Sequence, residues 1–143
     1  MAITVRAAAE DWPAVRGLLT DAKLPLDGAA DAFATGVVIR DGVRVVGCAA
    51  IECHDDAALL RSVAVAPDRR GRGLGESLVH AAEATARAAG ASDIILLTET
   101  AEPWFERLGY AAMERSAVPP RVADSIEFRT ACSETAVVMT RRL

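Results

Sequence analysis

Three arginines and three glycines share the stretch Arg69-Arg70-Gly71-Arg72-Gly73-Leu74-Gly75, which follows the apolar run Val63-Ala64-Val65 and the Pro67 that stops it. An apolar strand that feeds a glycine- and arginine-rich turn, which in turn opens a helix, can hold phosphate. The first N–H groups of a helix are unsatisfied and carry partial positive charge. Glycines admit a ligand close to the main chain, and Arg69, Arg70 and Arg72 add local charge, so the stretch reads as a pyrophosphate cradle. Two common phosphate loops fail on spacing. A Walker loop needs GxxxxGK[ST], and no lysine follows here. A dinucleotide fingerprint needs GxGxxG, whereas Gly71, Gly73 and Gly75 give GxGxG and Glu76 stands where the third glycine belongs.

A second group sits upstream. Arg61 interrupts the otherwise apolar run Leu59–Val65, and a charge there needs a partner. Glu52, on the preceding strand, is the candidate. If Asp55-Asp56 forms a two-residue turn, Glu52 faces Leu59 and Ala50 faces Arg61. Glu52 and Arg61 are then diagonal neighbours on one sheet face. A three-residue turn puts them on opposite faces. Two readings stay open, a structural ion pair and a pair that touches substrate. Where Glu52 does not serve, a substrate carboxylate or oxyanion suits a bidentate guanidinium. Arg115 and Arg129 are weaker candidates for that task, with solvated surface charge as the plainer alternative.

The three cysteines (Cys48, Cys53, Cys132) and two histidines (His54, His80) form no CxxC and no metal-ligand spacing. Neither a disulfide framework nor a structural zinc site is expected. Cys48 and Cys53 fall on opposite sides of one strand, and both histidines read as solvated.

The elements that must position these groups follow from periodicity and punctuation. Thr4–Arg6 reads as a strand, and Asp11-Trp12-Pro13 starts a helix that runs to about Lys23 before Pro25. A short helix spans about Gly28–Phe33. Val37–Arg40 and Arg44–His54 make a hairpin about Asp41-Gly42, and Leu59–Val65 follows as a further strand. Gly71–Ala89 is the longest helix. Its apolar stripe is Leu74, Leu78, Ala81, Ala82, Thr85 and Ala89, with Glu76, His80, Glu83 and Arg87 on the other face, and Gly90 stops it. Asp93–Leu97 is a buried strand, Glu102–Leu108 a short helix, and Tyr110–Met113 and Ala136–Met139 the last strands. Pro119-Pro120 begins a loop or a single helical turn. The order predicts one α/β domain over residues 1–143, a mixed sheet with helices on both faces.

Composition narrows the classes. The 143 residues suit one domain. The apolar fraction of 52% suffices for a core, and a net charge of −4 gives no global basic field for nucleic acid or an anionic membrane. No apolar run is long enough to span a bilayer, and the start Met1–Arg6 lacks a secretory pattern. A soluble cytoplasmic protein with reduced thiols is expected.

The pattern Arg70-x-x-Gly73-x-Gly75, after Val63-Ala64-Val65 and before Phe105-Glu106-Arg107-Leu108-Gly109-Tyr110, resembles the acyl-CoA loop and later landmarks of the GNAT family of N-acetyltransferases. The resemblance covers nearly the whole chain. It implies the GNAT fold, a mostly antiparallel sheet splayed between two parallel strands. It also implies acetyl-CoA as cosubstrate, with no metal. Val63, Ala64 and Val65 would pair with the pantetheine arm, and the amides of Arg70, Gly71, Arg72, Gly73, Leu74 and Gly75 would hold the pyrophosphate. The thioester would enter the gap beside Ile94–Leu97. Homodimers are common in the family, though no residue here proves one. A narrower resemblance, carried by Leu59–Val63, Leu96–Glu102, Glu127-Phe128-Arg129, Cys132-Ser133 and Ala136, is to the arsenic-resistance N-acetyltransferase subfamily. Its best-understood members acetylate amino-acid-like toxins.

Acetyl transfer to an amine needs a proton acceptor, oxyanion stabilisation and a leaving thiolate. Glu52 is the expected base, and Arg61, with Arg115 behind it, the anchor for a substrate carboxylate. Thr98 and Thr100 are candidates to bond the pantetheine or order a water, with helix capping by Thr100 as the alternative. Phe105 stands where many relatives carry the tyrosine that protonates the thiolate. Tyr110, the chain's one tyrosine, reads as core, and core is also the plainer reading for Trp104 and Phe105. The expectation is direct acetyl transfer to a small-molecule primary amine in a ternary complex. The alternatives are acetylation of protein N-termini or lysines, and a non-catalytic acetyl-CoA or metalloid sensor.

Overall fold

The computed structural model describes residues 2–125, 128 and 135–143; Glu127, Arg129, Cys132 and Ser133, singled out above, lie outside them. Seven strands form one sheet: β1 (Ala2–Arg6), β2 (Val37–Asp41), β3 (Arg44–His54), β4 (Ala57–Val65), β5 (Asp93–Thr98), β6 (Ala111–Ala112) and β7 (Val137–Arg142). Their spatial order is β1-β2-β3-β4-β5-β7-β6. All neighbours are antiparallel except β4 and β5. Among the described residues, five α-helices join them: α1 (Trp12–Asp21), α2 (Ala29–Ala32), α3 (Leu74–Ala88), α4 (Glu102–Arg107) and α5 (Pro120–Ala123). No helix among the described residues is long and apolar enough to cross a membrane.

Alternation along the central strands sorts the core into two clusters. Ala58, Leu60, Ile94, Leu96 and Met139 join the larger one with Leu78 and Val79 of α3. Their neighbours Ala57, Leu59, Ile95 and Val138 join the smaller one with Val122 of α5. Successive side chains on a strand point to opposite faces, so helices cover the sheet on both sides, as the sequence predicts. The Asp55-Asp56 turn has two residues, which sets Glu52 opposite Leu59 and Ala50 opposite Arg61. Asp55 adopts φ 62° there, a left-handed conformation that aspartate tolerates.

Three expectations need correction. The long helix starts at Leu74 rather than Gly71, because Gly71 and Gly73 sit at φ 79° and 78°, outside helical space. Its buried face is Leu78, Val79, Ala82, Glu83 and Ala86, and Ala89 is exposed. Glu83 turns inward because the Tyr110 hydroxyl donates to its carboxylate at 2.8 Å and Arg141 Nη1 at 2.9 Å. Paired in this way, a carboxylate can be buried. The first residue before α4 is Ala101, not Thr100, and the Thr98 hydroxyl accepts from the Ala101 N–H at 3.0 Å.

Candidate active site

The ladder between β4 and β5 runs through only three residue pairs, Ala57–Asp93 to Leu59–Ile95. Beyond it, β4 follows β3 to Val65, and β5 follows β7 to Thr98. The two strands part and open a V, and the edge of β4 that faces the V is available to an extended, amide-bearing chain that adds as a further strand.

Beyond the V lies a cleft of about 400 Å³. Val63, Ala64 and Val65 form one wall, Arg70, Gly71 and the start of α3 form the floor, and Ala101, Trp104 and Phe105 close the far side. The glycines have separate reasons. Gly71 and Gly73 hold left-handed turns with nothing near a would-be Cβ, while a Cβ on Gly75 would come within 3.1 Å of the Trp104 ring. Trp104 therefore packs onto bare backbone, and its ring meets Phe105 edge-on at 4.8 Å. The first main-chain bond within α3 is donated by Ser77 to the Gly73 carbonyl at 3.2 Å. The amides of Leu74, Gly75 and Glu76 are thus left for a ligand, at the positive end of a helix of 15 residues.

Arg69 lines the cleft beside Arg70 and pairs with Asp41 at 2.6 Å, which holds the Asp41 carboxyl below its ordinary range. Arg44 grips both oxygens of Asp68 at 2.7 Å and pulls its pKa down to about 2. Arg70 keeps to the cleft and donates from Nε to the Val65 carbonyl at 3.2 Å. Arg72 is exposed, and neither it nor Thr98 lines the cleft. Ala22, from the end of α1, does line it; an alanine 41 or more residues upstream carries no sequence signal of that role.

Upstream on β4 the ladder with β3 slips by one residue between Cys48 and Ala50. Ser62 is the extra residue, at φ 60°, and makes a bulge that re-aims the strand beside the V. The Cys48 thiol donates to the Ser62 carbonyl at 3.4 Å. Burial pushes that thiol's pKa up to about 12, so it is no nucleophile. Just before the bulge, the Arg61 side chain is wholly buried, with Nη1 3.3 Å from Glu52 Oε2. Its Nη2 donates to the Asp27 carbonyl at 2.7 Å, and its Nε to Ser62 Oγ at 3.1 Å. Glu52 Oε1 lies 3.2 Å from His54 Nε2. His54 is therefore not the freely solvated residue expected: its side chain is 25% exposed and that of Glu52 20%. Arg115 is exposed on the α5 side of the sheet, where it stacks over Phe128 at 5.8 Å and donates to the Ala136 carbonyl at 3.0 Å. Phe105 and Tyr110 are both buried in the main core cluster.

The structure thus brings together an amide-edged V, a row of unpaired amides at a helix start and a carboxylate on the adjoining strand. Comparisons with known proteins agree with that geometry. An uncharacterised N-acetyltransferase of Chlorobaculum tepidum is 34% identical over 101 residues, 68% of this chain and 64% of that protein. An amino-acid acetyltransferase of Pasteurella multocida is 31% identical over 87 residues, 59% of this chain and 20% of that protein. The chain thus spans less than two thirds of the length of these curated relatives. Among solved structures, N-acetylglutamate synthase from Neisseria gonorrhoeae, complexed with coenzyme A and N-acetyl-glutamate, superposes with a TM-score of 0.86 at 20% identity. That match covers 100% of this chain and 35% of the other. Rv2747 from Mycobacterium tuberculosis, in complex with CoA and NLQ, gives 0.82 at 25% identity over 99% of both chains. The model of the acetyltransferase (GNAT) domain matches residues 33–112, the stretch that holds β3, β4, the bulge, the glycine cradle and α4, and the chain belongs to the GNAT acetyltransferase family.

Proposed function

We propose that this chain transfers the acetyl group of acetyl-CoA to the primary amine of a small molecule, directly and in a ternary complex. The observation that carries the reading is the V between β4 and β5 opening alongside the unpaired amides of α3. One ligand with a peptide-like arm and a pyrophosphate suits both. Acetyl-CoA supplies an activated acetyl group as a thioester. The β4 edge at Val63–Val65 holds its amide-bearing arm, and the turn from Arg70 to Gly75 holds its phosphates. In this reading, main-chain N–H groups beside the Ser62 bulge stabilise the oxyanion. Glu52 supplies the proton-accepting end of the site, directly or through water. No tyrosine hydroxyl reaches the cleft wall at Phe105, so the thiolate leaves unassisted or takes its proton from water.

The acceptor is, in our reading, an amino acid or an amino-acid-like molecule. The curated relatives named amino-acid acetyltransferases support it, and Arg115 is assigned as a further contact for the acceptor's carboxylate. A narrower proposal, a toxin tied to arsenic resistance, rests on the stretches Leu59–Val63 and Leu96–Glu102. A cytoplasmic location suits reduced thiols and an intracellular cosubstrate.

Release of free CoA from acetyl-CoA tests this, across amino acids, phosphinothricin-like amino acids, polyamines, aminoglycosides and short peptides. Amine-dependent release with the amino-acid class is expected. Release with peptides alone turns the assignment to protein acetylation, and tight acetyl-CoA binding without release from any amine turns it to a non-catalytic sensor.

A further inference from the structure

Arg61 puts a guanidinium with no exposed surface into a strand whose other residues, apart from Ser62, are alanine, valine and leucine. A buried ion pair is weak ground for stability, since apolar residues of similar volume commonly stabilise as well. What a guanidinium adds is a rigid fork of donors, and here three parts of the molecule meet on it. Nη1 faces Glu52 Oε2 on β3 at 3.3 Å. Nε reaches Ser62 Oγ, on the residue that makes the bulge, at 3.1 Å. The shortest of the three bonds, 2.7 Å, runs from Nη2 to the Asp27 carbonyl.

Asp27 belongs to the segment between α1 and α2. The backbone reverses into the left-handed region near both ends of that segment, at Lys23 (φ 58°) and Gly28 (φ 73°). Ala22, just before it, lines the cofactor cleft. The segment therefore bridges the cleft and the Glu52 pair, and Arg61 fastens its far end. We infer that Arg61 is a positioning residue, which locks the 22–28 segment, the Ser62 bulge and the Glu52 carboxylate into one arrangement, rather than an anchor for a substrate's carboxylate. The inference rests on the acetyl-transfer reading for its kinetic consequence. Its structural consequence, a held segment, stands apart from it.

The test uses Arg61→Met, which keeps the bulk and removes all three bonds, and Arg61→Lys, which keeps the charge. Initial rates are measured with two amines, one with a carboxylate and one without. Misplacement of reacting groups by about 1 Å costs on the order of 100-fold in rate. Arg61→Met is therefore expected to lower kcat by roughly 100-fold with both amines, while KM for acetyl-CoA stays within about threefold. Arg61→Lys restores part of kcat with both. Hydrogen exchange of the amides in 23–28 is read in the same proteins and needs no turnover. It is expected to speed up in Arg61→Met while the amides of α3 keep their protection. A KM rise confined to the carboxylate-bearing amine with kcat unchanged overturns the inference in favour of an anchor. Unchanged kcat and unchanged exchange together overturn it in favour of an inert ion pair. If the wild-type protein releases CoA in response to none of the amines, the acetyl-transfer reading fails by itself, and the exchange rates still decide whether Arg61 holds the segment. Should Arg61→Met not fold, Arg61→Lys and Ser62→Ala carry the same two readouts.

Discussion

At its C-terminal end, β4 runs into a turn whose ligand-facing groups are main-chain amides, with Gly71 and Gly73 in left-handed turns. A few residues earlier on the same strand, Arg61 ties together a carboxylate, a hydroxyl and a carbonyl from three segments. The end proposed for the cofactor is thus made of backbone and asks little of side chains beyond the absence of a Cβ. The end proposed for the acceptor is made of interlocked side chains. Backbone amides come with every residue, so the first kind of site is written in local spacing. The second exists only once strands have paired, so it depends on register.

That contrast can be broken at either end. The largest effect is expected at the acceptor end, where Glu52→Gln keeps shape and removes the proton acceptor. Turnover should fall by at least roughly 100-fold with acetyl-CoA affinity unchanged, measured by steady-state kinetics beside calorimetry. A turnover loss below about threefold takes Glu52 out of the chemistry. At the cofactor end, Gly73→Val forces a side chain into a left-handed turn, which costs about 1–2 kcal/mol, and crowds the approach to the amides. Acetyl-CoA should bind roughly 10- to 100-fold more weakly. Gly42→Val supplies the control. Gly42 sits at φ 63° in the β2–β3 turn, also with nothing near a would-be Cβ, so it shares the strain and lies away from the cleft. Equal losses in both variants would mean that general destabilisation, not the cradle, sets affinity. The smallest effect on binding and turnover belongs to a network outside both ends. Tyr110→Phe removes the hydroxyl that donates to buried Glu83 and leaves Arg141 as that carboxylate's partner. A hydrogen bond to a charged group contributes about 1.5–3 kcal/mol, so urea unfolding should show a loss of that order. No measurable loss would mark the Glu83 pair with Arg141 as sufficient.

How much of this was legible in the sequence follows the same line. The cradle was, because Gly71, Gly73 and Gly75 and the arginines stand in one short stretch. The pairing of Glu52 with Arg61 is legible only as one of two registers: a two-residue turn at Asp55-Asp56 brings them to one face, a three-residue turn does not, and the structure has the former. Periodicity puts Glu83 on the polar face, yet it is buried, because its partners Tyr110 and Arg141 are distant in sequence and helical periodicity knows only neighbours. Arg69 lines the cleft with its neighbours in the stretch, but its partner Asp41, on β2, is invisible to local spacing. Nothing in the sequence marks Ser62 as a bulge, because serine in a left-handed turn inside a strand is a product of the surrounding pairing. The Asp27 carbonyl on Arg61 was equally hidden, as a main-chain acceptor carries no residue identity.

The thiol that donates to the carbonyl of the Ser62 bulge bears on the protein's response to soft electrophiles. A cysteine binds trivalent arsenic, or reacts with an alkylating or oxidising agent, as its thiolate. With burial holding Cys48 near a pKa of 12, almost none is ionised at neutral pH, and no solvent reaches it. Of the two cysteines among the described residues, Cys53 is the exposed one. Among the described cysteines, a soft electrophile arriving from solution therefore meets Cys53, on the opposite face of β3, while the thiol at the Ser62 bulge stays out of its reach.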